Sequence, residues 1–242
     1  MPSAVVQVLP TYEAVSGRAF DVVAARIRAS PQLVLGLATG STPLGLYRRL
    51  AAGDLDWSRV TTFNLDEYAG LSPEHPQSYH HYMWLHLFRH VNITPARTHI
   101  PSATGAGTAF EARIAAAGGI DLQILGIGAN GHIGFNEPGS SFGSRTRSVS
   151  LAARTIADNA RFFDRVEDVP RSACTMGIGT IMESRVIMLM ACGKVKAEAV
   201  SRALQGPVTT DVPASVLQRH PNVLVLLDEA AASLLSKHLL TS

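Results

Sequence analysis

The chain has 242 residues, with 21 Lys and Arg against 19 Asp and Glu, a formal charge of +2. Hydrophobic residues make up 46% and charged residues 17%, which excludes a disordered chain. It also argues against a dedicated nucleic-acid binder, whose basic residues would be clustered and in large excess. Two cysteines are too few for a disulfide scaffold, no apolar run approaches the ~18 residues of a membrane span, and the N-terminal MPSAVVQVLPTYE lacks a secretion leader's basic region.

Val5–Leu9 reads as a strand, and residues 12–29 follow with Val15, Ala19, Val23 and Ile27 on one helical stripe. Leu33–Leu37 is a buried strand ending in the turn Ala38-Thr39-Gly40-Ser41-Thr42, after which Pro43 opens a helix to about residue 52. Val60–Leu65 is a strand, Tyr79–Arg89 a helix, 92–107 a loop and 108–117 a helix. Leu122–Ile127 is the next strand, and a glycine-rich segment, 128–144, follows it. Beyond lie a helical or lid-like region at 154–171, a short helix around 177–184 and a strand Val186–Ala191. A helix at 194–204, a strand Val223–Leu227 and a final helix at 230–240 complete the series.

Strands alternating with helices predict parallel βαβ units, hence an α/β fold with a mainly parallel sheet and helices on both faces. VIMLMA at 186–191 supports burial on both sides. Nothing in the composition marks a linker, so residues 1–242 read as one domain. With Cys174 and Cys192 both in apolar stretches, as reduced thiols would be, a cytoplasmic setting is expected.

Ligands of such sheets bind outside the carboxyl ends of the strands, and four strand ends here carry polar or glycine-rich clusters. Gly40-Ser41-Thr42-Pro43 fits an anion site at a helix start, and fits a capped turn equally well. It matches neither a Walker A sequence nor a G-x-G-x-x-G fingerprint. Asp66, in Asn64-Leu65-Asp66-Glu67-Tyr68, suits a partly desolvated general base, although for an isolated aspartate a cap or surface turn is the simpler reading. Adjacent carboxylates at a strand end point different ways, so one of the pair Asp66 and Glu67 is expected in the cleft.

The densest cluster is Gly126 to Gly139, with five glycines, Asn130, His132 and Glu137. A carboxylate beside His132 would fix its tautomer, as Glu137 is placed to do. No second His or Cys stands near at ligand spacing, which argues against a metal. The other eight histidines, His80 and His81 included, read as surface or packing residues. Lys194 and Lys196, after the strand at 186–191, sit where cations oppose a helix dipole; they read as partners of an anion or as a solvated basic turn. Arg161 is a further candidate anion contact.

Together these segments resemble the glucosamine-6-phosphate deaminase family. The matching strings are LATGSTPLGLY (37–47), TFNLDEY (62–68), HPQSYHHYM (75–83), LGIGANGHIGFNEPGSSFGSRTR (125–147), NARFFD (159–164), TMGIGTIM (175–182) and CGKVKA (192–197). The resemblance implies a modified doubly wound sheet and conversion of glucosamine 6-phosphate and water to fructose 6-phosphate and ammonia, with no cofactor and no metal. It implies Asp66 as the base at C2 and His132, with Glu137 and Asn130, as the acid/base of ring opening. Gly40, Ser41, Thr42, Arg161 and Lys196 would hold the phosphate. Many members carry Asp at the position of Asn130, and others Asn. Arg147 matches part of an allosteric basic cluster of hexameric members, but Ser148-Val149 stands where a lysine is expected and the chain stops at Ser242, so weak or absent activation is expected. The partner is a small amino-sugar phosphate, and the quaternary state is open between monomer and homo-oligomer. Galactosamine-6-phosphate deaminase, 6-phosphogluconolactonase and a non-catalytic sugar-phosphate sensor are the alternatives.

Overall fold

The computed structural model describes residues 4–102, 107–151, 156–157, 160, 163 and 165–236. Seven strands form one sheet: β1 (Val5–Leu9), β2 (Val34–Leu37), β3 (Thr61–Asn64), β5 (Thr98–His99), β6 (Leu122–Leu125), β9 (Val186–Ala191) and β10 (Val223–Asp228). Their order is β1-β10-β9-β6-β2-β3-β5, and every neighbouring pair is parallel.

Both faces are covered. In β9 the alternation is visible residue by residue, because Ile187, Leu189 and Ala191 join one core layer and Met188 and Met190 join the other. Helices α1 (Tyr12–Ala29), α2 (Leu44–Ala52) and α3 (Tyr79–His86) cover the methionine side. The other side carries α4 (Gly107–Ala116), α5 (Ile178–Met182), α6 (Ala197–Gln205) and α7 (Glu229–Ala232). Helix α1 begins where Thr11 caps the Ala14 N–H at 3.2 Å and ends with Arg26 and Arg28 in its last turn, both favourable to the dipole. Its expected stripe, Val15, Ala19, Val23 and Ile27, is buried throughout.

One constraint positions everything functional. Strand β2 feeds α2 and then β3 on one side, whereas β6 leads to β9 on the other, so the chain order reverses between β2 and β6. These two central strands share only the pairs Leu35↔Leu122 and Gly36↔Gln123. Their last residues pair outward instead, Leu37 with Asn64 and Leu125 with Leu189. The sheet therefore parts at its carboxyl edge, where a crevice is expected.

Several elements differ from the sequence reading. The strand expected at 60–65 ends at Asn64, and Asp66–Tyr68 forms β4 in a second, three-stranded antiparallel sheet with β8 (Ser172–Thr175) and β7 (Arg147–Ser150). These strands are too short and too polar (RSVS in β7) to carry a periodic signal of their own. The loop expected at 92–107 contains the two-residue β5, formed by pairing with β3 rather than by local preference. Two helices begin or end in 3₁₀ turns, Phe88–His90 after α3 and Lys194–Lys196 before α6. Of the region expected to be helical or lid-like at 154–171, much lies outside the described residues; the described part contains a 3₁₀ turn at Val166–Asp168. The expected helix at 230–240 is described as far as residue 236, and its regular part is Glu229–Ala232.

Leu35 is fully buried at the junction of β2 and β6. Leu35→Ala is expected to lower the unfolding free energy by about 2–5 kcal/mol, measured by urea denaturation.

Candidate active site

The crevice between β2 and β6 is a cleft of about 360 Å³, lined by Ala38–Thr42, Leu65, Asp66, Tyr79, Gly126–Ala129, His132, Gly134, Phe135 and Lys196. Gly40, Ser41, Thr42, Asp66, His132 and Lys196, far apart in the chain, are thus brought together. Asn130 and Glu137 stand behind the cleft wall, linked to His132. Lys194 does not line the cleft. Arg161 lies outside the described residues.

Asp66 is placed by the hinge between the two sheets. Leu65 donates its N–H to Leu37 O at 3.0 Å in the large sheet and accepts the Met176 N–H at 2.6 Å beside β8 in the small one. The next residue, Asp66, opens β4 opposite Thr175 and is 6% exposed. Burial, aided by the charge of neighbouring Glu67, raises its carboxyl from an ordinary 3.8 to about 8.

Glu67 turns the other way, and its carboxylate closes the start of α3. It accepts the N–H groups of Tyr68, Tyr79 and His80 at 2.8–3.0 Å and meets His80 Nδ1 at 2.9 Å. The reading of His80 as a surface or packing residue is therefore corrected: its ring is hydrogen-bonded to a buried carboxylate. Sequence spacing could not show this, because 13 residues separate the two.

The glycine-rich segment folds into a compact turn. Gly128 donates to His132 O at 2.9 Å and Gly131 donates to Gly128 O at 3.0 Å. The His132 ring lies so close over Gly128 that an added Cβ there would fall 2.2 Å from its Cε1. Glu137 Oε1 stands 3.5 Å from His132 Nδ1, beyond the usual hydrogen-bond range, and among the described residues that buried ring nitrogen has no hydrogen-bond partner. Asn130 joins the two: its amide donates to Glu137 Oε2 at 2.7 Å, and its carbonyl oxygen accepts the His132 N–H at 3.2 Å. An aspartate at 130 would set two carboxylates at that same contact, where the amide instead donates a hydrogen bond.

Sequence reasoning missed Asn136, which is fully buried. Its amide donates to Ile133 O and Met176 O at 3.0 and 2.8 Å, and its oxygen accepts from Arg147 Nη1 at 2.9 Å. It thereby fastens the histidine turn to β7 and to the segment after β8. Tyr79 and Phe135, stacked at 7° with centroids 6.2 Å apart, form an aromatic wall that was likewise not foreseen. The nearest signal was the string HPQSYHHYM, whose tyrosine acquires a role only through α3. Among the described residues no group of three or more His, Cys, Asp or Glu could hold a metal ion, and no helix is long and apolar enough to cross a membrane.

A parallel α/β sheet with a polar, acid-bearing crevice at its switch point defines a class of proteins that act on small molecules there. Within that class, the chain belongs to the family described as glucosamine-6-phosphate isomerases/6-phosphogluconolactonase, whose model matches residues 11–226. The glucosamine-6-phosphate deaminase of Rhodopirellula baltica is 56% identical over 241 residues, covering 96% of each chain. A solved structure of a monomeric glucosamine-6-phosphate deaminase superposes with a TM-score of 0.91 at 46% identity, over 95% of this chain and 99% of that one. The 6-phosphogluconolactonase of Leishmania guyanensis shares the fold, with a TM-score of 0.77 at 21% identity over 97% and 99% of the two chains.

Between about pH 4 and pH 8 the folded protein keeps a proton on Asp66 that the unfolded chain has released. The folded state binds the extra proton, so the unfolding free energy falls as pH rises across that window. Asp66→Asn is expected to flatten this slope, leaving the variant relatively more stable at pH 8 than at pH 5 when both proteins are denatured in urea.

Proposed function

We propose that the protein is a glucosamine-6-phosphate deaminase, converting glucosamine 6-phosphate and water to fructose 6-phosphate and ammonia. The observation that carries this reading is a buried carboxylate, Asp66, in the same cleft as the Glu137-backed His132 and the Gly40–Thr42 turn. High identity over almost the whole length of relatives bearing that name supports it.

In this reading the amides and hydroxyls of Gly40, Ser41 and Thr42, with Lys196 and Arg161, hold the 6-phosphate. His132 moves a proton from the C1 hydroxyl to the sugar's ring oxygen and opens the sugar; Glu137 stands beside its imidazole and Asn130 holds its backbone N–H. Asp66, once ionised, removes the proton from C2 and delivers it to C1, turning the aldose into a C2 imine through an enol-type intermediate. Water then adds at C2 and ammonia leaves, so the overall reaction is an isomerisation followed by hydrolysis of a carbon–nitrogen bond. A lactonase would have no use for a base at C2, and a sensor would have no use for the acid–base set. The chain is proposed to act as one domain in the cytoplasm, and its monomeric relative supports function as a single copy.

Purified protein given glucosamine 6-phosphate, its C4 epimer and 6-phosphogluconolactone is expected to release ammonia and ketose phosphate from the gluco sugar. No ammonia from either amino sugar would remove the deaminase reading. Asp66→Asn is expected to lower turnover by at least ~100-fold, the usual scale for a general base. Proton exchange at C2, followed by deuterium incorporation, should be lost with it.

A further inference from the structure

The turn after β2 is held from behind by three tyrosine hydroxyls, each from a different helix. Tyr47 of α2 donates to Ala38 O at 2.5 Å, Tyr82 of α3 to Gly40 O at 2.6 Å, and Tyr12 of α1 to Ser41 O at 3.1 Å. Tyr12 also accepts the Gly45 N–H at 2.7 Å, tying the first turn of α2 to the same anchor. None of the three lines the cleft. Tyr47 is fully buried in the core layer beneath α1–α3, Tyr82 packs against that layer, and Tyr12 borders a separate hollow behind the turn.

A trans peptide unit carries its C=O and N–H on opposite sides. Fixing the carbonyls of residues 38, 40 and 41 toward the tyrosines therefore turns the N–H groups of Thr39, Ser41 and Thr42 away from them. Residues 38–42 line the cleft on that other side. Among the described residues, no backbone or side-chain acceptor takes the N–H of Thr39, Ser41 or Thr42. Gly40, at φ +91°, supplies the left-handed step with which successive amides form an anion-binding concavity.

We infer that Tyr12, Tyr47 and Tyr82 are positioning residues that pre-set these amides for a phosphate monoester and so govern phosphate affinity without touching substrate. The inference rests on the proposed phosphate role of the turn. Pre-orientation matters here because an amide free to rotate would have to be ordered when the ligand binds. Tyr12 and Tyr82 are half-buried, so replacing their hydroxyls alone leaves the ring packing in place.

The test compares the wild type with the Tyr12→Phe/Tyr82→Phe double variant, using inorganic phosphate as a competitive inhibitor and glucosamine 6-phosphate as substrate. The phosphate inhibition constant and KM should both rise by about ten-fold, the scale of one to two lost hydrogen bonds, with kcat within about two-fold. A folded double variant with unchanged inhibition constant and KM would overturn the inference. So would a fall in kcat with phosphate inhibition unaltered, which would mark a general structural role. Should the double variant not fold, Tyr82→Phe alone is read by the same criteria, with a rise of about three-fold expected. A wild type that turns over the sugar yet ignores phosphate would instead remove the phosphate reading of the turn, and the brace with it.

Discussion

The whole site depends on how little β2 and β6 share. Two paired positions hold the middle of the sheet together, after which each strand ends against its outer neighbour. Parallel strands buried on both faces leave loops only at their ends, so the reversal of chain order between β2 and β6 sends two loops apart and opens a crevice. The turn at 38–43 and the glycine-rich turn at 126–139 are these two loops. Their separation is therefore set by core packing, by Leu35, Leu122 and Ile124 below, rather than by the loops themselves.

Adjacent acids illustrate how backbone direction assigns electrostatic fate. Asp66 and Glu67 follow the same hinge residue, and alternation along β4 sends them to opposite sides. Glu67 meets three N–H groups and an imidazole, the surroundings of a satisfied carboxylate. Asp66 meets buried surface and the charge of its neighbour, so its proton is held to about pH 8. The helix cap thus has a second effect, since the charge it stabilises at Glu67 also acts on Asp66.

Side-chain amides do much of the fastening around the histidine. Asn136 spans three backbone or side-chain partners in the interior, and Asn130 links the Glu137 carboxylate to the His132 backbone without adding charge. The fold itself does not select the chemistry, since the Leishmania guyanensis 6-phosphogluconolactonase shares it at 21% identity. What distinguishes members must lie in the few side chains that reach the cleft.

Strand–helix alternation, the α1 stripe and the fully apolar β9 made the α/β class legible in the sequence, because burial on one stripe or on both faces imposes a period that composition records. Glycines and polar residues at strand ends located both cleft loops for the same reason: close backbone approach leaves few residue types to choose from. The second sheet, the Glu67–His80 pair, the Asn136 fastening and the tyrosines behind the 38–42 turn were not legible. Each is a contact between residues distant along the chain, and no local period marks a partner that only packing brings near. By itself the sequence determined which chemical groups the protein carries and the class of fold that presents them. Tertiary structure alone decided which of two buried carboxylates lies in the cleft with a raised pKa and which is hydrogen-bonded all round, because that follows from the direction of one strand leaving the sheet.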